Sequence, residues 1–156
     1  MRSATAQTGD ALRTAQSSVE FKTVPADQLR FVWDTLGPWV RRALRHGQGT
    51  QTSEPDIIAR VMKETSYLWV GTIGEEIVAG IFWSVRRIAT GHKIWIDLAV
   101  GKEMDLWFEQ AQEHFRRLAD DIGAKCVEGS CRPGMARRLM RKGCKQKAII
   151  VEMSCQ

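Results

Sequence analysis

The first clear pattern is an alternation: Val19, Phe21 and Thr23 stand against Glu20 and Lys22, the two-residue period of a half-buried strand near a sheet edge. Pro25 suits a first helical turn, and Leu29, Val32, Trp33 and Leu36 then recur at the spacing of one buried helical stripe. Gly37-Pro38 predicts a break. A second short helix should follow it, turning Trp39, Val40, Ala43 and Leu44 inward and Arg41, Arg42 and Arg45 outward and ending near Gly47. After a loop over 47–52, Ser53 and Asp56 form a capping pattern around Pro55, and Ile57, Ile58, Val61 and Met62 supply the stripe of a third helix. Two β-rich runs, 67–73 and 77–88, flank the polar link Gly74-Glu75-Glu76 and predict a hairpin. A strand over 93–100 follows the Thr90-Gly91-His92 turn, and its continuous apolar character predicts burial on both faces. Trp107, Ala111, Phe115, Leu118 and Ile122 mark a helix of about 18 residues, ended by Gly123. A strand (125–130), a short helix (134–142), the stop Gly143 and a last strand (147–153) complete the pattern.

Composition narrows this to one domain. With 156 residues, 44% hydrophobic and 26% charged, the chain can bury a single core, expected over 19–156. Residues 1–18 hold almost no large apolar side chains and read as a flexible arm, because nothing there offsets the entropy of ordering. The longest apolar run, 77–83, is far short of the roughly 20 residues that cross a bilayer, and no signal-type stretch opens the chain, so membrane insertion and secretion are not expected. Cys126, Cys131, Cys144 and Cys155 form no C-x-x-C pair and have no nearby histidine, so they read as reduced packing residues, and no metal site is expected. His46, His92 and His114 are scattered. The six tryptophans fall on helical stripes or in strands and read as core and interface packing; any exposed ones would form an assembly surface, including one between copies of the chain.

The charge is local. Arg132, Arg137, Arg138, Arg141, Lys142, Lys145 and Lys147 lie in a segment without an acid, and subtracting these seven from the net +5 leaves −2 for the rest. Such a patch suits phosphate, nucleic acid or an acidic partner surface; the plainer reading is a solvated helix face with a basic turn.

Strand, helices, hairpin, strand, helix, strand, helix, strand resembles the order of the GNAT superfamily of acyl-CoA N-acyltransferases over 19–156. The resemblance implies an α+β fold with a mixed, mostly antiparallel sheet and helices on both faces. Arg132-Pro133-Gly134-Met135-Ala136-Arg137-Arg138-Leu139, then a glycine at 143, resembles the ending of GNAT-like proteins of short-tailed bacteriophages and prophages, except that Met135 stands where those commonly have an aromatic.

That family holds the cofactor pyrophosphate on backbone N–H groups of an Arg/Gln-x-x-Gly-x-Gly/Ala loop after the fourth strand, where a helix N-terminus favours anions. Here the position reads Ala99-Val100-Gly101-Lys102-Glu103-Met104-Asp105, with one glycine and two acids, a degenerate loop. If a cofactor is bound, Leu98, Ala99, Val100, Gly101 and Lys102 are the residues expected to meet it. The usual tyrosine acid is absent: the corresponding helix offers Leu139 and Met140, and the only tyrosine is Tyr67 in the hairpin. Asp97, among apolar neighbours, is a weak candidate for a general base, and pairing with a neighbouring backbone group or arginine is the favoured alternative.

These readings predict a phage or prophage protein that keeps the GNAT fold without its chemistry and serves as a virion structural or assembly protein. Its place would be the host cytoplasm or the virion, its partners other phage structural proteins, and no cofactor is expected. An acetyl-CoA-dependent N-acetyltransferase is the alternative, and nucleic-acid binding through the basic segment is the third reading.

Overall fold

The computed structural model describes residues 18–46, 52–149 and 153; all but Ser18 of the expected arm, most of the 47–52 loop and Cys155 lie outside them. In chain order the elements are β1 (Glu20–Val24), a 3-10 turn (Ala26–Gln28), α1 (Leu29–His46), α2 (Glu54–Met62), β2 (Tyr67–Ile73), β3 (Glu76–Ile88) and β4 (Gly91–Gly101). A second 3-10 turn (Met104–Leu106), α3 (Phe108–Ile122), β5 (Val127–Gly129) and α4 (Pro133–Arg141) follow. The strands lie in sequence order in one sheet, antiparallel except for the parallel pair β4 and β5.

Alternation along the strands makes two cores, one on each face. Leu68, Val70, Phe82 and Val100 pack with Leu29, Leu36 and Val40 of α1 and Ile57 and Val61 of α2. Trp69, Ala79, Ile81, Trp83 and Ile94 pack with Trp107 and with Ala111 and Phe115 of α3. Helices therefore cover both faces, as the apolar strands require.

Gly37-Pro38 does not end the first helix; α1 runs through it. The buried stripe is continuous across the pair, since Leu36, Gly37 and Val40 are all buried. Pro38 faces solvent, where water can satisfy the carbonyl that its missing N–H leaves free. Core burial on both sides outweighs the local penalty. The capping box at Ser53 is formed: the Asp56 N–H donates to Ser53 Oγ at 3.3 Å and the Ser53 N–H to Asp56 Oδ2 at 2.9 Å. Glu54 of α2 accepts from Trp33 Nε1 at 3.0 Å and Arg41 Nη1 at 2.8 Å, which ties α2 to α1.

Three further expectations change at the C-terminal end. The helix expected from Trp107 spans 15 residues because Trp107 is its cap and the preceding turn is 3-10. β5 is shorter than 125–130, as the chain leaves the sheet after Gly129 to enter α4 at Pro133. Lys147, Ala148 and Ile149 are exposed and form no strand; Lys147 instead pairs with Glu128, and 150–152 lie outside the described residues.

Candidate functional site

β4 is the strand on which sequence and structure differ most. Of its residues only Ile94 and Val100 are buried, and Ala99 is exposed, so it is not enclosed on both faces. Its pairing with β3 shifts between Phe82, opposite Leu98, and Trp83, opposite Ile96, which leaves Asp97 as an extra residue. This bulge re-aims the strand. Ile94 and Ile96 meet the α3 core, whereas Leu98 and Val100 meet the core of α1 and α2.

The bulge sets Asp97 in a cage of polar groups. Its side chain is 5% exposed, and Arg86 Nη2 donates to Oδ1 at 3.4 Å, with Arg60 Nη1 at 3.9 Å from the same oxygen. The buried Ser66 hydroxyl lies 3.0 Å from Asp97 Oδ2 and 3.2 Å from the Trp83 carbonyl, and with one proton it donates to one of them at a time. Two guanidiniums compensate one carboxylate, as its burial demands. Arg86 also stacks over Trp95 at 4.2 Å from the ring centroid.

β4 and β5 part immediately after this point. Their register covers Ile94 to Ile96 against Val127 to Gly129 and stops there, so the β5 side of residues 97–101 has no strand partner among the described residues. The strand ends on Gly101, at φ 157°, where a Cβ would lie 2.4 Å from the Val78 carbonyl oxygen. Only glycine fits there. Glu103 then takes the left-handed conformation, φ 37°, at the position where the family pattern carries Gly or Ala.

The loop spends its own groups on itself. The Lys102 N–H donates to the Val78 carbonyl at 2.9 Å, and Trp107 Nε1 donates to the Lys102 carbonyl at 2.8 Å. Lys102 Nζ pairs with Glu76 at 2.8 Å and lowers that carboxyl's pKa by hydrogen bonding and charge. Asp105, two residues before Trp107, takes Lys142 Nζ at 2.7 Å and Arg138 Nη2 at 2.9 Å. These two hydrogen bonds, Lys142's first, hold the Asp105 carboxyl below its usual range.

The basic segment is thereby divided. Arg138 and Lys142 face Asp105, and Lys147 shares Glu128 with Lys93, whose Nζ lies 2.7 Å from the other carboxylate oxygen. Lys147 and then Lys93 lower the Glu128 pKa to about 2. Arg132, Arg137, Arg141 and Lys145 are exposed and have no acidic partner among the described residues. Leu139 is half-buried and Met140 exposed on α4; Tyr67 stacks against Trp83 at 4.7 Å, away from the loop. Cys126, Cys131 and Cys144 are free, and among the described residues no His, Cys, Asp and Glu cluster could hold a metal. No helix of the described residues is long and apolar enough to cross a membrane.

Ser66, Arg60, Arg86 and Glu128 were not foreseeable as partners, since each meets its group across 11 or more residues of sequence or from another element. The charge signs of Glu103 and Asp105 were visible, but not the cations that Asp105 binds.

No protein-family model and no curated protein matches the sequence. Solved structures do resemble it. A probable acetyltransferase superposes with a TM-score of 0.66 at 10% identity, over 88% of this chain and 99% of its own. A possible acetyltransferase from Clostridium difficile 630 gives 0.62 at 12%, over 89% and 99%. The ribosomal-protein-alanine N-acetyltransferase from Brucella melitensis biovar Abortus 2308 gives 0.62 at 9%, over 88% and 100%. At these identities the likeness establishes the fold: a GNAT-type α+β domain with a mostly antiparallel five-stranded sheet.

Proposed function

We propose that this chain is a GNAT-fold protein without acyl-transfer activity that works by binding other proteins and that, on the resemblance of segment 132–139, it serves in virion assembly of a short-tailed phage. The observation that carries the first part is the Asp105 carboxylate, fastened by Arg138 and Lys142 beside the start of α3. A cofactor diphosphate at that helix N-terminus would gain about 0.3–1 kcal/mol from the helix dipole. It would have to displace two charge-assisted hydrogen bonds, a class roughly twice as strong as neutral ones, and settle beside Glu103. The Lys102 N–H, one of the amides that could have received it, is already bonded to Val78. Repulsion and competition outweigh the dipole.

Calorimetric titration of the purified protein with acetyl-CoA tests this reading. No heat is expected up to about 1 mM, and no rise in melting temperature, whereas a ligand at about 100 times its dissociation constant adds roughly 2.7 kcal/mol of stability. Micromolar binding would overturn it. The assembly role predicts that the chain co-purifies with phage particles. Particles made without it in normal yield and infectivity would sink that part.

One observation favours the acetyltransferase alternative: the unpaired edge of β4 at 97–101 lies beside the bulged Asp97, an arrangement able to receive an extended ligand on Leu98 to Gly101 amides with Asp97 relaying a proton through water. In that case Asp97→Asn abolishes turnover of acetyl-CoA with an amine. The ion pairs to Arg60 and Arg86 and the contact with Ser66 weigh against it, because they already occupy the carboxylate oxygens that a substrate or relaying water would have to reach.

A further inference from the structure

The pairing pattern of the basic segment separates cations that hold the protein together from cations that do not. Arg138 and Lys142 are spent on Asp105 and Lys147 on Glu128. Arg132, Arg137, Arg141 and Lys145 are exposed, lack acidic partners among the described residues and bracket one short helix. We propose that these four residues form a surface that binds the phosphate backbone of nucleic acid.

Three features separate this from an ordinary solvated face. α4 has no fully buried residue: Met135, Ala136 and Leu139 are half-buried, and its charged side-chain ties to the body run through Asp105, with Lys142 also over the Phe108 ring at 5.6 Å. A surface needing only solubility mixes both signs, whereas residues 132–147 contain no acid. The internal pairs set two carboxylates against three of the seven charges, one of them shared with Lys93, and leave the four outward cations without an acidic partner among the described residues, so the segment keeps a net positive field. Arg137 and Arg141 stand one helical turn apart, about 6 Å along the axis at 1.5 Å per residue. Duplex DNA presents a phosphate about every 3.4 Å of helix axis on each strand. Because the strand also winds around the axis, its neighbouring phosphates lie farther apart than that, a separation that two long arginine side chains one turn apart can span. Three of the four are arginines, whose planar forks match phosphate oxygens. Contacts to phosphates carry no sequence information, so binding through them is sequence-independent.

This surface does not depend on whether acyl transfer occurs. The test is fluorescence anisotropy of the full chain with a mixed-sequence duplex of about 20 base pairs, and with polyglutamate of matched length, at salt from about 50 to about 200 mM. Four phosphate contacts predict a log–log salt slope near −3.6, roughly a 100-fold loss of affinity over that range. Removing all four cations together by serine substitution (R132S, R137S, R141S, K145S) abolishes binding with an unchanged far-UV spectrum and melting temperature. Each single substitution lowers the slope by about 0.9, while K63S, outside the segment, changes nothing. No duplex binding at the lowest salt would overturn the proposal, as would binding retained by the quadruple variant. Preference for polyglutamate over the duplex would also overturn it and assign the surface to an acidic protein.

Discussion

Around β2 and β3 the molecule is held by shape, whereas beyond β4 it is held by charge. Phe82, Leu68 and Ile81 are at most 1% exposed, and the rings of Trp69, Trp83 and Phe115 stack within 4.5 to 6.4 Å of one another. β5 and α4, by contrast, contribute no fully buried residue: β5 adds a short parallel pairing with β4 and the half-buried Val127, and the charged ties run from Asp105 to Arg138 and Lys142 and from Glu128 to Lys147 and Lys93. The count that matters is four distinct cations on two carboxylates. Apolar burial is not weakened by charge screening or by protonation of carboxylates, and ion pairs are. The two ends of the sheet should therefore fail under different conditions.

The strongest way to break the comparison is at Phe82. Phe82→Ala removes a fully buried ring between β2, β4 and α1 and should cost about 3–5 kcal/mol. Urea titration measures it, and a loss below about 1 kcal/mol would mean that the central core is not the principal source of stability. Ser53→Ala, which deletes the capping-box acceptor of α2, should cost about 1 kcal/mol in the same assay. Both effects should be independent of salt.

A smaller effect, confined to the charged end, comes with acid. The Glu128 carboxyl is depressed in the folded state to about 2, so its stabilising contribution is complete above the ordinary carboxylate value of 4.5 and is lost as pH falls from there toward 2. The protection of amides 127–129, measured relative to the intrinsic exchange rate at each pH, should fall across that window, while amides of β2 and β3 stay protected. Glu128→Gln should abolish the pH dependence of that protection. Uniform acceleration across all strands would show that the two ends do not behave separately.

Legibility in the sequence follows the same division. Regions held by burial announce themselves through period: the stripes of α1 and α3, the alternation of β1 and the hairpin of β2 and β3 all form. Even the failure at Gly37-Pro38 has this origin, because the stripe continued through the pair and the core settled the outcome. Regions held by ion pairs leave no periodic trace. Arg138 meets Asp105 across 33 positions and Lys93 meets Glu128 across 35, distances at which no local pattern links partners. The bulge at Asp97 is equally silent, since one additional residue in an apolar run changes nothing in its composition. Of the strand expected at 147–153 from its β-prone residues, the described residues 147–149 are exposed and pair with no strand, and the Lys147 side chain meets Glu128, a partner that no local pattern marks.

The finest distinction concerns Asp105. Its side chain is 67% exposed, and isolated ion pairs at such sites hold little of a protein's global stability. Asp105→Asn should thus leave the urea midpoint unchanged. It should nevertheless loosen α4, because Arg138 and Lys142 lose their shared anion and only the half-buried Met135, Ala136 and Leu139 remain to hold the helix. Faster amide exchange over 133–141, matched in the unmodified protein by about 1 M salt, is the expected result, since the Debye length there is about 3 Å. The same variant sharpens the functional reading. With the carboxylate gone, two cations stand unpaired beside the start of α3, and an anionic ligand no longer has to displace an internal rival. If Asp105→Asn gains affinity for inorganic diphosphate while the unmodified chain shows none, the internal carboxylate is what closes the loop. If both remain silent, the left-handed Glu103 and the bonded Lys102 amide close it without help from Asp105.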